Sequence, residues 1–107
     1  MANFLYFCNA ANDGGAWPVE NLGGIDTAAG KLHFYFTPHR ITDVVTGDTV
    51  DKIDINVPGG DEKAALQKVV EAMNTAHGNP FLVIADDENS IYVTDLIDGV
   101  DLITYAA

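Results

Sequence analysis

The alternation of apolar and polar residues predicts three β-strands in the first half of the chain. The first covers residues 3–9 and is apolar on both faces, as in an interior strand or one covered by a partner. The second covers residues 31–37. The third covers residues 49–57 and is expected to be half exposed, because Ile53 and Ile55 alternate with polar residues. Residues 9–30 are rich in Gly, Ala, Asn and Asp, so we expect a long connection there, with a short strand or turn near residues 17–22.

One amphipathic helix is predicted over about residues 61–77. Asp61 is a suitable N-cap, and Gly78 and Pro80 mark the end of the helix. Four apolar residues have the i, i+3, i+4, i+7 spacing of a helix face that packs on a core. They are Leu66, Val69, Val70 and Met73.

Three further strands are predicted after the helix, over residues 81–85, 90–96 and 100–105. The acidic segment 86–89 and the pair Asp98–Gly99 are both typical of hairpin turns. We therefore expect a single domain over residues 1–107, mainly β with one helix. The predicted order is β, long loop, β, β, α, β, β, β.

The segment 31–40 is the best candidate for a binding site. Leu32, Phe34 and Phe36 share one face of the predicted strand and are expected in the core, so the opposite face is available for other contacts. Proteins that bind single-stranded nucleic acids use aromatic rings to stack bases and nearby cations to contact phosphates. The candidate nucleic-acid-binding residues are Lys31, His33, Tyr35, His39 and Arg40. The commoner alternative is a core strand whose polar face is solvated and binds nothing. Assembly into a ring would favour the binding site, because it would bring several copies of the segment together around an axis.

Charge and cysteine content narrow the classes of function. The 107 residues carry a net charge of −11, which repels polyanions at long range and disfavours DNA coating or binding to acidic membranes. Cys8 is the single cysteine, so neither an internal disulfide nor a thiolate-based zinc site is possible. The start of the chain lacks the charged region of a signal peptide, and no apolar run is long enough to span a membrane. We expect an intracellular protein, or one assembled from an intracellular pool, without membrane contact.

No residue pattern indicates catalysis or a metal centre. Ser90 lies beside a predicted turn without the context of a nucleophile, Cys8 lies inside an apolar strand, and the histidines lack the spacing of metal ligands. The acidic segment 86–89 offers oxygen ligands to calcium, but it does not match an EF-hand loop, and a solvated turn is the commoner interpretation. We therefore expect that the protein is not an enzyme, has no catalytic residue and binds neither a metal nor a cofactor.

Four segments of the chain together resemble a large family of small proteins known chiefly from ocean metagenomes and thought to come from cyanophages. The segments are MANFLYF at the start, LHFYF in the centre, DEKAALQKVVEAMN in the helix and PFLVIADDENSIYV in the predicted hairpin. The resemblance covers most of the chain and is weakest over residues 13–30.

The resemblance implies an Sm/LSm-like fold, a small, strongly bent antiparallel β-barrel that assembles into a ring through its edge strands. It also implies a role in binding or processing RNA or DNA. We therefore expect a non-enzymatic protein that binds single-stranded RNA or DNA in the cytoplasm of the infected bacterial host. Residues 3–9 and 100–105 carry little charge, so we expect them to be the edges of the homo-oligomeric ring. Typical Sm proteins differ in carrying the helix before the first strand, and their RNA-binding motifs are not found in this sequence. A virion structural or capsid decoration protein is the alternative, because a compact acidic β domain suits that role equally well.

Overall fold

The computed structural model describes residues 4–36, 51–75 and 81–104, and these residues confirm a mainly β fold with one helix. The α-helix, α1, runs over Glu62–Thr75, and a short 3-10 helix over Val19–Asn21 follows the second strand. The strands are β1 (Phe4–Ala10), β2 (Asp13–Pro18), β3 (Leu22–Ala28), β4 (Lys31–Phe36), β5 (Asp51–Asn56), β6 (Phe81–Asp86), β7 (Ile91–Tyr92) and β8 (Gly99–Thr104).

The described strands form two four-stranded sheets and not a closed barrel. The first sheet has the order β2-β1-β6-β7, and the second has the order β3-β4-β5-β8. β1 and β6 are parallel, and the other pairs described are antiparallel. In the described residues no strand pairs with both sheets, and a barrel closes only when hydrogen bonding runs continuously around it.

β1 is an interior strand, which explains why both of its faces are apolar. It pairs with β2 on one side and with β6 on the other. The prediction that residues 3–9 form a free edge of a ring is therefore wrong. Among the described strands β8 pairs with β5 alone, so residues 99–104 do lie at a sheet edge, close to the predicted segment 100–105.

The glycine-rich segment 9–30 contains β2 and β3 in place of the predicted long connection. Gly14 pairs with Cys8 of β1, and a Cβ atom on Gly14 would lie 3.1 Å from the carbonyl oxygen of Phe7. Glycine here allows two strands to approach closely, although in a sequence it usually indicates a turn. The prediction failed because pairing with neighbouring strands, a tertiary effect, outweighs the low strand propensity of glycine.

The chain leaves the first sheet sooner after β6 than the sequence predicts. The strand expected over residues 90–96 is reduced to the two residues of β7. The backbone N–H of Asp98 then donates to the carbonyl of Asn56, at the end of β5, at 2.8 Å. The pair Asp98–Gly99 is therefore a crossing into the second sheet, and its assignment as a hairpin turn is wrong.

The two sheets share one hydrophobic core, with Phe7 of β1 near its centre. The Phe7 ring meets the rings of Trp17, Phe34 and Phe36 edge-on, with centroid distances of 5.8, 5.0 and 6.0 Å. Trp17 is buried, and its indole N–H donates to the buried carboxylate of Asp51 at 2.9 Å. This hydrogen bond joins β2 to β5. The apolar residues that the alternation in β4 and β5 places on the inner face are buried, namely Leu32, Phe34, Phe36, Ile53 and Ile55. Val57, directly after β5, is buried as well.

Helix α1 packs beside β3 and β4 of the second sheet. It occupies the predicted segment, and residues 76 and 77 of that segment lie outside the described residues. Ala65, Val69 and Met73 face the core. Val70 is 42% exposed, so its predicted place in the core is wrong. The helix therefore has exposed apolar surface at Val70, next to the face that packs on the core.

Candidate binding surfaces

The outer face of the second sheet carries the described residues that were predicted to bind nucleic acid. Lys31, His33 and Tyr35 alternate along β4 with buried residues, so they lie together on this face, half-buried. His39 and Arg40, the other two predicted residues, lie outside the described residues. Paired and neighbouring strands add further polar side chains. We call the whole set the charged face; it consists of Asp26, Lys31, His33, Tyr35, Lys52, Asp54, Asn56 and Asp101.

Lys31 contacts one side chain of the neighbouring strand β5 and one of β8, the next strand beyond it. Its ammonium group lies 2.7 Å from the carboxylate of Asp101 and donates to the side-chain oxygen of Asn56 at 2.9 Å. Exposed ion pairs of this kind contribute little stability, because water and salt screen them. A phosphate could therefore compete for Lys31, but it would have to displace Asp101.

His33 lies between two carboxylates. Its Nδ1 atom is 3.1 Å from Asp26, and its Nε2 atom is 3.6 Å from Asp54. The hydroxyl of Tyr35 donates to the same Asp26 at 3.2 Å. Partial burial, and next the charge of Asp26, raise the pKa of Tyr35, so its hydroxyl stays protonated and able to donate.

Lys52 is the second lysine of the charged face. Its ammonium nitrogen lies 3.7 Å from Asp54 and 5.9 Å from the centre of the Tyr35 ring. The charged face thus holds three aspartates against two lysines. Strand alternation identified Lys31, His33 and Tyr35 from the sequence, but it could not show their acidic partners, which come from three other strands.

The outer face of the first sheet contrasts with the charged face. Phe4 of β1 pairs with Phe81 of β6, and the two side chains are 42% and 50% exposed. A hydrogen bond with Cys8, and next burial, raise the pKa of Tyr6 to about 12, so Tyr6 stays uncharged at neutral pH. We call this set the apolar face; it consists of Phe4, Tyr6, Ala16, Pro18, Phe81 and Val83, and none of these residues is charged.

A groove of about 400 Å³ lies between β3 and α1. It is open to solvent, and the exposed Val70 is part of its helical wall. Sequence reasoning missed this groove, because an apolar residue in a helical stripe is usually in the core. We call it the β3–α1 groove; its lining consists of Leu22, Gly23, Gly24, Ile25, Leu66, Val70 and Met73.

The acidic segment 86–89 is held by hydrogen bonds within the protein. The carboxylate of Asp86 accepts hydrogen bonds from the backbone N–H groups of Glu88 and Asn89 and from the side-chain amide of Asn89. The bond from the Asn89 side chain is the main reason why the pKa of Asp86 is lowered. Asp86 is also 4% exposed, so it is not part of a solvated turn. Within residues 4–36, 51–75 and 81–104, no group of three or more acidic, histidine or cysteine side chains is arranged to hold a metal ion.

The fold and these surfaces define a mainly β domain of two sheets with one helix. Comparison of the chain with protein-family models, with curated proteins and with solved structures gives no match. Among the helices in the described part of the chain, none has both the length and the apolar character to cross a membrane.

Proposed function

We propose that this protein is a non-enzymatic domain that assembles with copies of itself through the apolar face. The observation that carries the proposal is the exposure of Phe4 and Phe81 side by side on paired strands, at 42% and 50%. Contiguous exposed apolar surface is a feature of interfaces, and aromatic residues are enriched there. Burial of these rings between two copies would remove them from water and stabilise the assembly.

The composition of this face suits a second copy as its partner. Two molecules that each carry a net charge of −11 repel one another at long range, so a contact between copies needs a surface that brings no further like charges together. The side chains of the apolar face are all uncharged, so they add no like-charge pair to the contact. A two-fold axis would also place the same set of side chains on both sides of the contact, as in most homodimers. A basic partner, by contrast, would find no acidic side chain among the residues of this face to pair with.

The Sm-like ring of cyanophage origin is the alternative geometry of self-assembly. Because β1 is interior, such a ring would have to join two of the edges among the described strands, which belong to β2, β3, β7 and β8. The side chain of Asp87 accepts the backbone N–H of Val100 at 3.0 Å, which occupies one donor of β8. For this reason we prefer the apolar face to the strand edges as the contact between copies.

Light scattering after size exclusion tests the proposal. We expect a dimer or a larger closed assembly that persists at high salt, since an apolar contact is not weakened by charge screening. A strict monomer at the highest soluble concentration would contradict self-assembly. A monomer in solution that is also found on purified virions would favour the role of a capsid decoration protein.

Binding of single-stranded RNA or DNA at the charged face is the second candidate function. The observation in its favour is the position of Lys52 over the ring of Tyr35, with Lys31 on the same face of the neighbouring strand. A base stacked on an aromatic ring with a phosphate on a lysine is the usual combination at such sites. The nearby aspartates weaken each copy of the site, so binding of this kind relies on several copies in one assembly.

A further inference from the structure

The β3–α1 groove combines two features that a single kind of ligand would use together. One wall is β3, which pairs with β4 alone among the described strands, so its second edge has backbone donors and acceptors that no other described strand uses. The other wall is formed by Leu66, Val70 and Met73 of α1. A strand edge next to an apolar helix wall is the arrangement that captures extended peptides by strand addition.

The glycines of β3 make its edge accessible. Gly23 and Gly24 are exposed, and apart from Gly24 and its two chain neighbours no described residue has a heavy atom within 4 Å of the position that a Cβ atom on Gly24 would take. A second cavity of about 290 Å³ lies at the other end of β3, where Thr27 and Ala28 face Lys63 of the helix. Open space is therefore present at both ends of β3, beside α1.

We infer that the β3–α1 groove binds an extended peptide segment of another protein, which adds to β3 as a further strand. Alternate side chains of that strand enter the groove next to Ile25 and Val70, which selects apolar residues. The side chains between them lie on the outer face beside Asp26, whose carboxylate is 60% exposed.

The charge of the chain specifies the class of peptide. Opposite charges on neighbouring strands attract, so Asp26 favours Lys or Arg at the paired position of the ligand. The net charge of −11 attracts a basic segment at long range and repels an acidic one. The ligand is accordingly a peptide in which apolar and basic residues alternate.

Fluorescence anisotropy with a labelled nonapeptide of alternating lysine and valine tests this inference. Val70→Lys places a charge in the apolar wall and should weaken binding by roughly tenfold or more, the scale of a lost central contact. Gln67→Lys adds the same charge at an exposed position of α1 outside the groove lining and should leave affinity nearly unchanged. The amide resonances of Gly23, Gly24 and Ile25 should shift when the peptide is added.

Peptide controls separate strand addition from simple charge attraction. A peptide of the same composition with its valines in one block has the same charge but no alternation, and it should bind more weakly. Equal binding of the two peptides, equal affinities of the two variants, or no binding of the alternating peptide to the wild-type protein would each overturn the inference. Loss of self-assembly in Val70→Lys would overturn it as well, because a second copy would then be the occupant of the groove.

Discussion

The carboxylate of Glu62 accepts a hydrogen bond from the backbone N–H of Gly30 at 2.6 Å. Its second oxygen accepts the N–H of Gly60 at 3.0 Å, so one side chain joins the start of α1 to the turn between β3 and β4. Gly30 adopts a φ of 73°, which glycine accommodates without strain. This contact fixes the helix relative to β3 and therefore sets the position of one wall of the β3–α1 groove.

Replacement of Glu62 should destabilise the fold in a pH-dependent manner. The N–H of Gly30 is the main cause of the lowered pKa of Glu62 in the folded protein. A folded-state pKa below that of the unfolded chain means that the contribution is present at neutral pH and is lost as the pH falls through the folded-state pKa. Urea unfolding should show Glu62→Ala below wild type at neutral pH, with a smaller gap in the acid range. Glu71→Ala, at an exposed position of the same helix, is the control, and a gap independent of pH would contradict the account.

The hydrogen bond between Trp17 and Asp51 should be a stabilising link between the two sheets. Trp17→Phe keeps an aromatic ring but removes the N–H that donates at 2.9 Å. We expect a loss of about 1–3 kcal/mol in the free energy of unfolding, the range for disruption of a buried polar contact. Chemical denaturation measures this loss. A change below about 0.5 kcal/mol, the scale of a neutral surface substitution, would show that the bond contributes no net stability.

Two phenylalanines of β1 should differ sharply in their contribution to stability. Phe7 is fully buried among three aromatic rings, whereas Phe4 is 42% exposed on the apolar face. Phe7→Ala should cost about 3–5 kcal/mol through lost packing and the cavity left behind. Phe4→Ala, measured as a monomer, should cost about 1 kcal/mol or less. Equal losses in the two variants would contradict the assignment of inner and outer faces.

Local patterns predicted the parts of the fold that depend on neighbouring residues in the chain. Alternation located β4, β5 and β8, and the helical stripe located α1. The same patterns could not show that β1 pairs in parallel with β6, because that contact joins residues far apart in the sequence. They also missed β2 and β3, whose glycines are typical of turns.

The candidate surfaces were predictable to different degrees. Alternation identified Lys31, His33 and Tyr35, but not Asp101, which reaches Lys31 from a strand 70 residues later in the chain. The apolar character of both faces of residues 3–9 indicated an interior or partner-covered strand, and β1 is interior. The groove was not predictable, because the exposure of Val70 depends on where α1 sits relative to β3.

Removal of Asp101 should strengthen any binding of nucleic acid at the charged face. Asp101→Asn removes the negative charge that lies 2.7 Å from the ammonium group of Lys31, so a phosphate no longer has to displace a carboxylate. Binding to labelled oligo-dT and oligo-U at low salt should tighten in this variant, and it should weaken in Lys31→Ala. Affinity should also fall steeply as salt is added. If the wild-type protein binds and both variants bind with the same affinity, the charged face is not the site. If the wild-type protein does not bind at low salt, this candidate function is excluded.

The most direct test of the central claim compares two variants by light scattering after size exclusion. Phe81 on the apolar face and Leu102 on β8 are 50% and 51% exposed, so glutamate is equally accessible to solvent at either position in a monomer. Phe81→Glu should convert the assembly into monomers, because it places a charge inside the contact between copies, and Leu102→Glu should leave the assembly intact. Dissociation by Leu102→Glu but not by Phe81→Glu would contradict assembly through the apolar face and would favour a ring joined at β8.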